Sequence, residues 1–152
     1  MRYIMLSTIL ILMFTTNIMG EELTKETVQA LITKVEVIAK ARNTNQLEKL
    51  LSEDINIVIN IQANGNKQTM RVAKLQYLSM LKQGWEMCEN YTYEISDVNI
   101  KIKNGLAYVS SNVEETMICN NQQIKGTSNE KSIVKLIDNK LKVTEITASM
   151  KL

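Results

Sequence analysis

Residues 24–42 carry apolar side chains three and four positions apart, the spacing that places them on one face of a helix. That face consists of Val28, Leu31, Ile32, Val35, Ile38 and Ala39. After the break at "RNTNQ", Asn45 is followed three residues later by Glu48, which resembles a capping box and predicts a short second helix. Its inward residues would be Leu47, Leu50 and Leu51.

The apolar pattern then changes to every second residue, the period of a β-strand with one buried face. The stretch "DINIVINIQ" (54–62) shows this period, and the Asn64-Gly65 pair that follows it suits a two-residue type I′ hairpin turn. A third helix is predicted over about 71–83, with Gly84 as its stop. Four further strands are predicted at about 89–103, 106–120, 128–138 and 141–151.

The strand predicted at 89–103 changes phase within its length. Its apolar residues are odd-numbered as far as Ile95 and even-numbered from Val98 onward. Because side chains alternate strictly between the faces of a strand, this change predicts a bulge near Ser96-Asp97, which also bends the sheet sharply.

The first twenty residues have the pattern of a secretory signal. Arg2 precedes a continuous apolar run that ends at Phe14, before the charged "EELTKE". The run is shorter than the roughly 20 residues that a bilayer span needs, although an uncleaved N-terminal anchor is the alternative. We therefore expect a periplasmic or secreted protein, with a signal peptide at 1–20, one domain at 21–152, and no stable membrane span after cleavage.

Composition excludes several classes of function. The chain has 18 Lys and Arg against 16 Asp and Glu, a net charge of +2, so no basic surface for nucleic acid is expected. It contains no His, which leaves no imidazole base, no Ser-His-Asp triad and no histidine-bearing metal site. Its five Gly stand apart and form no phosphate-binding loop. We expect no cofactor, no metal and no nucleic-acid partner.

Two cysteines, Cys88 and Cys119, lie towards the far ends of the hairpin predicted around Asn104-Gly105. A regular two-residue turn would leave the two cysteines two positions out of register, which one bulge or a slightly different loop would correct. We expect a Cys88–Cys119 disulfide, because an even pair of cysteines in an exported protein is more often bridged than free. Two buried thiols are the alternative.

The predicted order of elements is helix, helix, hairpin, helix and then a four-stranded meander. Helices grouped before strands indicate an α+β fold. We expect two to three N-terminal helices packed on one face of a strongly bent antiparallel or mixed sheet, which leaves a cone-shaped pocket with an open mouth.

This order resembles the nuclear transport factor 2-like superfamily, a curved-sheet α+β cone shared by polyketide cyclases and ketosteroid isomerases. Three stretches carry the resemblance: "VAKLQYLSMLKQGW" (72–85), "ISDVNIKIKNGLAYVSSNVEE" (95–115) and "SIVKLIDNKLKVTEIT" (132–147). It covers nearly all of 24–152 and consists of patterns, not invariant residues. A cystatin-like sheet wrapped on one helix, or another helix-plus-meander arrangement, is the competing fold.

The resemblance implies a pocket between the bent sheet and the helices. Its candidate ligand-binding residues are Tyr77, Trp85, Tyr93, Val109, Ser111 and Val113. The alternative for the aromatic residues is packing in the core or at the rim, and the alternative for Ser111 is a hydrogen bond to the backbone.

Two carboxylate positions are candidates for acid–base chemistry. Asp97 lies at the expected bulge, and a regular strand must point one of the adjacent Glu114 and Glu115 inward, with Glu115 the candidate. A buried carboxylate has a raised pKa and can act as a base. Enzymes of the resembled superfamily use an Asp or Glu base facing a Tyr or His, but no such motif matches here residue by residue. Exposure at the surface is the alternative for Asp97 and for one of the two glutamates.

The first hypothesis is an exported, non-catalytic binding module in an envelope-assembly or immunity-type role. It would hold a small apolar molecule in the cone or contact a protein partner through the sheet. The alternative is a small cofactor-independent isomerase, dehydratase or cyclase that uses a carboxylate base. A homodimer formed through the sheet is a further possibility, because proteins of the resembled superfamily often pair in that way.

Overall fold

The computed structural model describes residues 20–63 and 65–151, in which the chain forms three helices and six strands. The helices are α1 (Lys25–Lys40), α2 (Thr44–Glu48) and α3 (Lys74–Met87). The strands are β1 (Leu51–Ala63), β2 (Asn66–Val72), β3 (Glu89–Lys103), β4 (Leu106–Cys119), β5 (Gln122–Ile137) and β6 (Lys140–Lys151). The signal peptide predicted at 1–20 lies, except for Gly20, outside the described residues. Within them, no helix has the length and apolar character needed to cross a membrane.

The residues that terminate α1 also position the N-cap of α2. Arg42 has a left-handed backbone (φ 54°), and the N–H groups of Arg42 and Asn43 bond back to carbonyls in the last turn of α1, at 2.9 and 3.1 Å. The Asn43 side chain then accepts a hydrogen bond from the backbone N–H of Gln46 and caps α2. The predicted capping box of Asn45 and Glu48 is therefore wrong, because the turn at Arg42 places the helix cap two residues earlier, at Asn43.

Helix α3 begins and ends later than predicted. Strand β2 continues past the predicted helix start near Arg71, so the helix begins at Lys74. Gly84 does not stop the helix, which continues to Met87 and holds Trp85 in the core at 7% exposure. Burial of an aromatic side chain outweighs the roughly 1 kcal/mol that a glycine costs in a helix interior.

The six strands form one mixed sheet in the order β2-β1-β6-β5-β4-β3. Strands β1 and β6 pair in parallel, and every other neighbouring pair is antiparallel. The predicted α+β class is confirmed, with the first hairpin joined to the meander through the parallel pair. Strand β5 begins at Gln122, earlier than predicted, because Asn120 and Asn121 (φ 52° and 62°) make a two-residue turn of left-handed residues.

Two bulges in β3 set the register of the β3–β4 hairpin. One lies at Asp97 (φ 53°), which confirms the bulge predicted near Ser96-Asp97, and the second lies at Asn90 (φ 49°). Each inserts one extra residue on the β3 side, so together they correct the mismatch of two positions. Cys88 and Cys119 are joined by a disulfide, with their Cα atoms 4.4 Å apart.

All three helices lie on one face of the sheet, where α1 packs against β3 and α3 packs against β1. The most deeply buried core side chains are Val28, Ile57 and Val134. On the opposite face, a row of polar side chains crosses the sheet with one residue from each strand: Thr69, Asn60, Ser149, Asn129, Asn112 and Asp97. Hydrogen bonds of 2.7–3.5 Å join every neighbouring pair in this row except Ser149 and Asn129.

We predict that loss of the disulfide lowers the free energy of unfolding by about 3–4 kcal/mol, because it closes a loop with a sequence separation of 31 residues. The measurement is urea unfolding of the wild type and of the C88A/C119A variant, each with and without a thiol reductant. The reductant should destabilise the wild type and leave the variant unchanged. A wild type that is insensitive to the reductant would contradict a stabilising role.

Candidate functional site

A cavity of about 110 Å³ lies between the helices and the inner face of the sheet. Aliphatic side chains of α1 form one wall, α3 adds Tyr77, Leu81 and Trp85, and strands β3, β4 and β5 supply further aromatic and polar side chains. A comparable apolar cavity of roughly 150 Å³ in another protein holds benzene, so this one suits a molecule of about one ring. Its polar lining residues are Tyr77, Tyr91, Tyr93, Ser111, Glu115, Glu130 and Ser132.

The structure brings together five of the six predicted pocket residues. These are Tyr77, Trp85, Tyr93, Val109 and Ser111, all of which line the cavity. Val113 does not line it; this side chain faces the same way, but it is packed into the core at 3% exposure. A ligand contact by any of them stays a prediction.

Of the two predicted carboxylates, only Glu115 lines the cavity. Its neighbour Glu114 points outward and pairs with Lys125 at 2.8 Å, as strand alternation requires. Asp97 is exposed on the outer face, where its carboxylate accepts a hydrogen bond of 2.7 Å from the Asn112 side chain. The bulge that singled out Asp97 turns this residue away from the cavity.

Glu115 is held by Tyr91, which sequence reasoning did not select. The Tyr91 hydroxyl donates a hydrogen bond of 2.9 Å to Oε1 of Glu115. Burial raises the pKa of Glu115, and this hydrogen bond opposes the rise. Burial first, and the nearby Glu115 charge second, raise the pKa of Tyr91, so its phenol keeps its proton and remains a donor at neutral pH.

Glu130 is the second carboxylate of the cavity, and it was missed. The register places it directly opposite Ser111 on β4, and it shares the inward phase of Ser132 and Val134 on β5. Burial, with a smaller contribution from the Glu115 charge, raises the pKa of Glu130 to about 7, and a hydrogen bond with the Ser128 side chain opposes the rise. Extending the inward phase of Val134 back along β5 would have found it.

Neutral phenols surround these carboxylates. Burial first, and the charge of Glu130 second, raise the pKa of both Tyr77 and Tyr93. The Tyr91 ring lies between Trp85 and Tyr93, with ring centroids 5.8 and 6.3 Å away. The polar groups of the site are therefore proton donors and carboxylates set against an aromatic wall.

Arg42, at the end of α1, contacts the end of α3 and the start of β3, the two elements that contain Trp85 and Tyr91. Its guanidinium donates hydrogen bonds of 3.0 Å to the backbone carbonyls of Trp85 and Cys88, and it lies 5.6 Å from the centre of the Tyr91 ring. The left-handed position that ends α1 aims this side chain at the end of α3. No local pattern marks Arg42, because its partners are more than forty residues away.

In chemical terms, the cavity places a carboxyl group with a pKa near neutrality beside protonated phenols in mostly apolar surroundings. Such a carboxyl group can both accept and donate a proton at physiological pH. The phenols can donate hydrogen bonds to an oxygen on which negative charge develops.

The fold, with helices on one face of a bent mixed sheet around an inner cavity, is that of nuclear transport factor 2-like proteins, as the sequence predicted. No protein-family model and no curated protein sequence matches the chain.

Among solved structures, the chain is similar to a nuclear transport factor 2-like protein from Cytophaga hutchinsonii, with 20% identity over 83% of this chain and 97% of that one and a TM-score of 0.65. It is also similar to a Novosphingobium aromaticivorans protein named provisionally as a scytalone dehydratase, with 14% identity, coverage of 84% and 83%, and a TM-score of 0.65. A third is a nuclear transport factor 2-like protein with a cystatin-like fold from the same species, with 9% identity, coverage of 82% and 80%, and a TM-score of 0.64. These likenesses show the fold alone.

We predict that Glu130 makes the protein less stable as the pH rises. The pKa of this group is about 7 in the folded chain against 4.5 for an ordinary glutamate, so the folded state binds the proton more tightly. The resulting stabilisation is fully present below about pH 4.5 and is lost as the pH rises through about 7, a change of about 3 kcal/mol. The E130Q variant lacks this contribution.

Urea unfolding at several pH values between these limits measures the effect. E130Q should lose less stability than the wild type between acidic and neutral pH, whereas E114Q, which changes an exposed glutamate, should follow the wild type. Parallel profiles for wild type and E130Q would show that Glu130 is not perturbed.

Proposed function

We propose that this protein binds a small, mostly apolar molecule in the cavity and catalyses a proton transfer on it, as an isomerase, dehydratase or cyclase that uses its own side chains. Of the two functions expected from the sequence, the geometry favours this second one. The observation that carries the proposal is the carboxyl group of Glu130, which lies in an aromatic cavity and has a pKa of about 7.

Each polar group has a role in this reaction. The ionised Glu130 removes a proton from the carbon beside a substrate carbonyl, and the electron pair of the C–H bond moves towards the carbonyl oxygen. Tyr77 or Tyr93 donates a hydrogen bond to that oxygen as it becomes negative. The protonated Glu130 then returns the proton to another carbon, or to a departing hydroxyl in a dehydration. Glu115, held by Tyr91, keeps a second charge nearby that supports the raised pKa of Glu130.

A non-catalytic binding module is the second candidate. The neighbouring rings of Trp85, Tyr91 and Tyr93 together with the aliphatic side chains of α1 give the cavity the character of a ligand pocket whether or not turnover follows. The dehydratase name of one structural neighbour fits the catalytic candidate, but at 14% identity it does not carry the proposal.

We further propose that the protein works outside the cytosol. The Cys88–Cys119 disulfide supports this location, because such bonds persist in oxidising compartments. The pattern of residues 2–20 supports it from the sequence. Expression of the full chain in a bacterium, followed by N-terminal sequencing of the periplasmic fraction, should give a protein that begins near Glu21. An intact N-terminus in the cytosol would refute the export proposal.

We predict that the protein accelerates deuterium exchange at the carbons beside the carbonyl of cyclohexanone, a one-ring carbon acid. Proton NMR in D₂O follows the exchange. The rate should rise as the pH passes through about 7, because only ionised Glu130 acts as a base. E130Q should lower the rate about 100-fold or more, the usual loss on removal of a general base.

The matched control is E114Q, which removes a carboxylate on the outer face of the neighbouring strand β4 and should exchange at the wild-type rate. If E130Q also retains the wild-type rate, Glu130 is not the base. If cyclohexanone binds to the wild type without any exchange above buffer, the non-catalytic candidate replaces the catalytic one.

A further inference from the structure

The charge of the cavity lining is unbalanced. It contains two carboxyl groups, Glu115 and Glu130, and none of the described residues that line it is a Lys or Arg. Arg42 is the nearby cation named above, and its guanidinium is directed at two backbone carbonyls and the Tyr91 ring. A carboxylate in an apolar site that has no cation must take up a proton or meet a cation supplied from outside.

The polar groups around Glu130 are suited to accept hydrogen bonds. Ser111 lies directly across from it on β4, and Ser132 lies two residues further along the same face of β5. Ser111 is only 9% exposed, and its side chain lines the cavity together with Glu130 and Ser132. Two hydroxyls and a carboxylate provide acceptors for the two or three N–H groups of an ammonium.

The remaining lining suits the rest of such a molecule. Tyr77, Tyr93 and Trp85 present aromatic surface, which attracts a cation through its ring faces and an apolar body by contact. An anionic ligand would meet both carboxylates without a compensating charge. A neutral ligand would leave Glu130 to take up a proton.

We propose that the cavity takes a small organic cation, a primary or secondary alkylammonium with about one ring of apolar body, whose N–H groups bond to Glu130, Ser111 and Ser132. This assignment rests on the proposed function in requiring that the cavity bind a small molecule, and it adds the chemical class of that molecule. Glu115 is the titratable group whose charge acts on Glu130, and the charge of Glu130 in turn acts on Tyr77 and Tyr93.

The probe pair is cyclohexylamine, which is a cation below about pH 10, and cyclohexanol, a neutral molecule with the same ring. Titration calorimetry or ligand-observed NMR measures both affinities at moderate salt, which screens surface charge. The wild type should bind the ammonium at least about tenfold more tightly than the alcohol at pH 8, the value of one charge-assisted hydrogen bond. This preference should shrink at about pH 5, because a proton then occupies Glu130.

Three variants test whether Glu130 is the group that binds the ammonium. E130Q should lose the preference and bind the two probes with similar affinity, S111A should lose part of the preference, and E114Q should keep all of it. Equal binding of the two probes by the wild type would refute the ammonium assignment. A preference that survives E130Q would refute it as well, because the cation would then bind elsewhere.

The two proposals fail separately. Deuterium exchange of cyclohexanone does not depend on an ammonium group. If the wild type catalyses this exchange but binds cyclohexanol as tightly as cyclohexylamine, or more tightly, only the proposed ligand class is overturned. A wild type that binds neither probe and does not exchange cyclohexanone overturns the proposed function and the ligand class together.

Discussion

The register of β4 between its two neighbours is the constraint on which both the core and the cavity depend. Strand β4 is paired along its full length with β3 on one side and β5 on the other. Its odd-numbered residues, from Ala107 to Glu115, therefore face the helices. A slip of one residue would turn the even-numbered residues inward, so that polar residues such as Asn112 and Glu114 would enter the core and the buried Val109 and Val113 would face solvent. The two bulges of β3 and the disulfide at its base hold the strand against that slip.

The same register lowers the stability of the folded state at the site. It points Glu130 into an apolar space, where the charged form is disfavoured. Polar residues on the opposite face of the sheet, by contrast, have hydrogen-bonding neighbours and are exposed to solvent. Nothing in the packing of the core requires a glutamate at this position. Glu130 lowers stability at neutral pH and lies near the phenols of Tyr77 and Tyr93. It therefore has the character of a functional group, because perturbed pKa values are concentrated at functional sites.

Alternation and helical periodicity predicted most of the fold from residue 24 onward, because each element carries its own apolar pattern. The failures have local physical causes. Gly84 is a helix stop by propensity, but burial of Trp85 one residue later overrides it. Glu130 lies in "GTSNEKS", a polar run with no apolar residue of its own, so its inward phase has to be extended from Val134 four residues later. The pairing with β4 fixes that phase in the structure. Arg42 acts through contacts distant in the chain, which no local pattern contains.

The two proposals about the cavity are linked by electrostatics. Opposite charge close to a carboxyl group lowers its pKa, so an ammonium seated against Glu130 would remove the proton that burial favours. The ligand would then convert its own neighbour into the ionised form that acts as a base. Tyr77 and Tyr93 respond in the same sense, because part of the rise in their pKa comes from the charge of Glu130, which the cation would offset. A buried carboxyl group that no Lys or Arg of the described cavity lining faces is thus a site whose reactivity is set by what binds beside it.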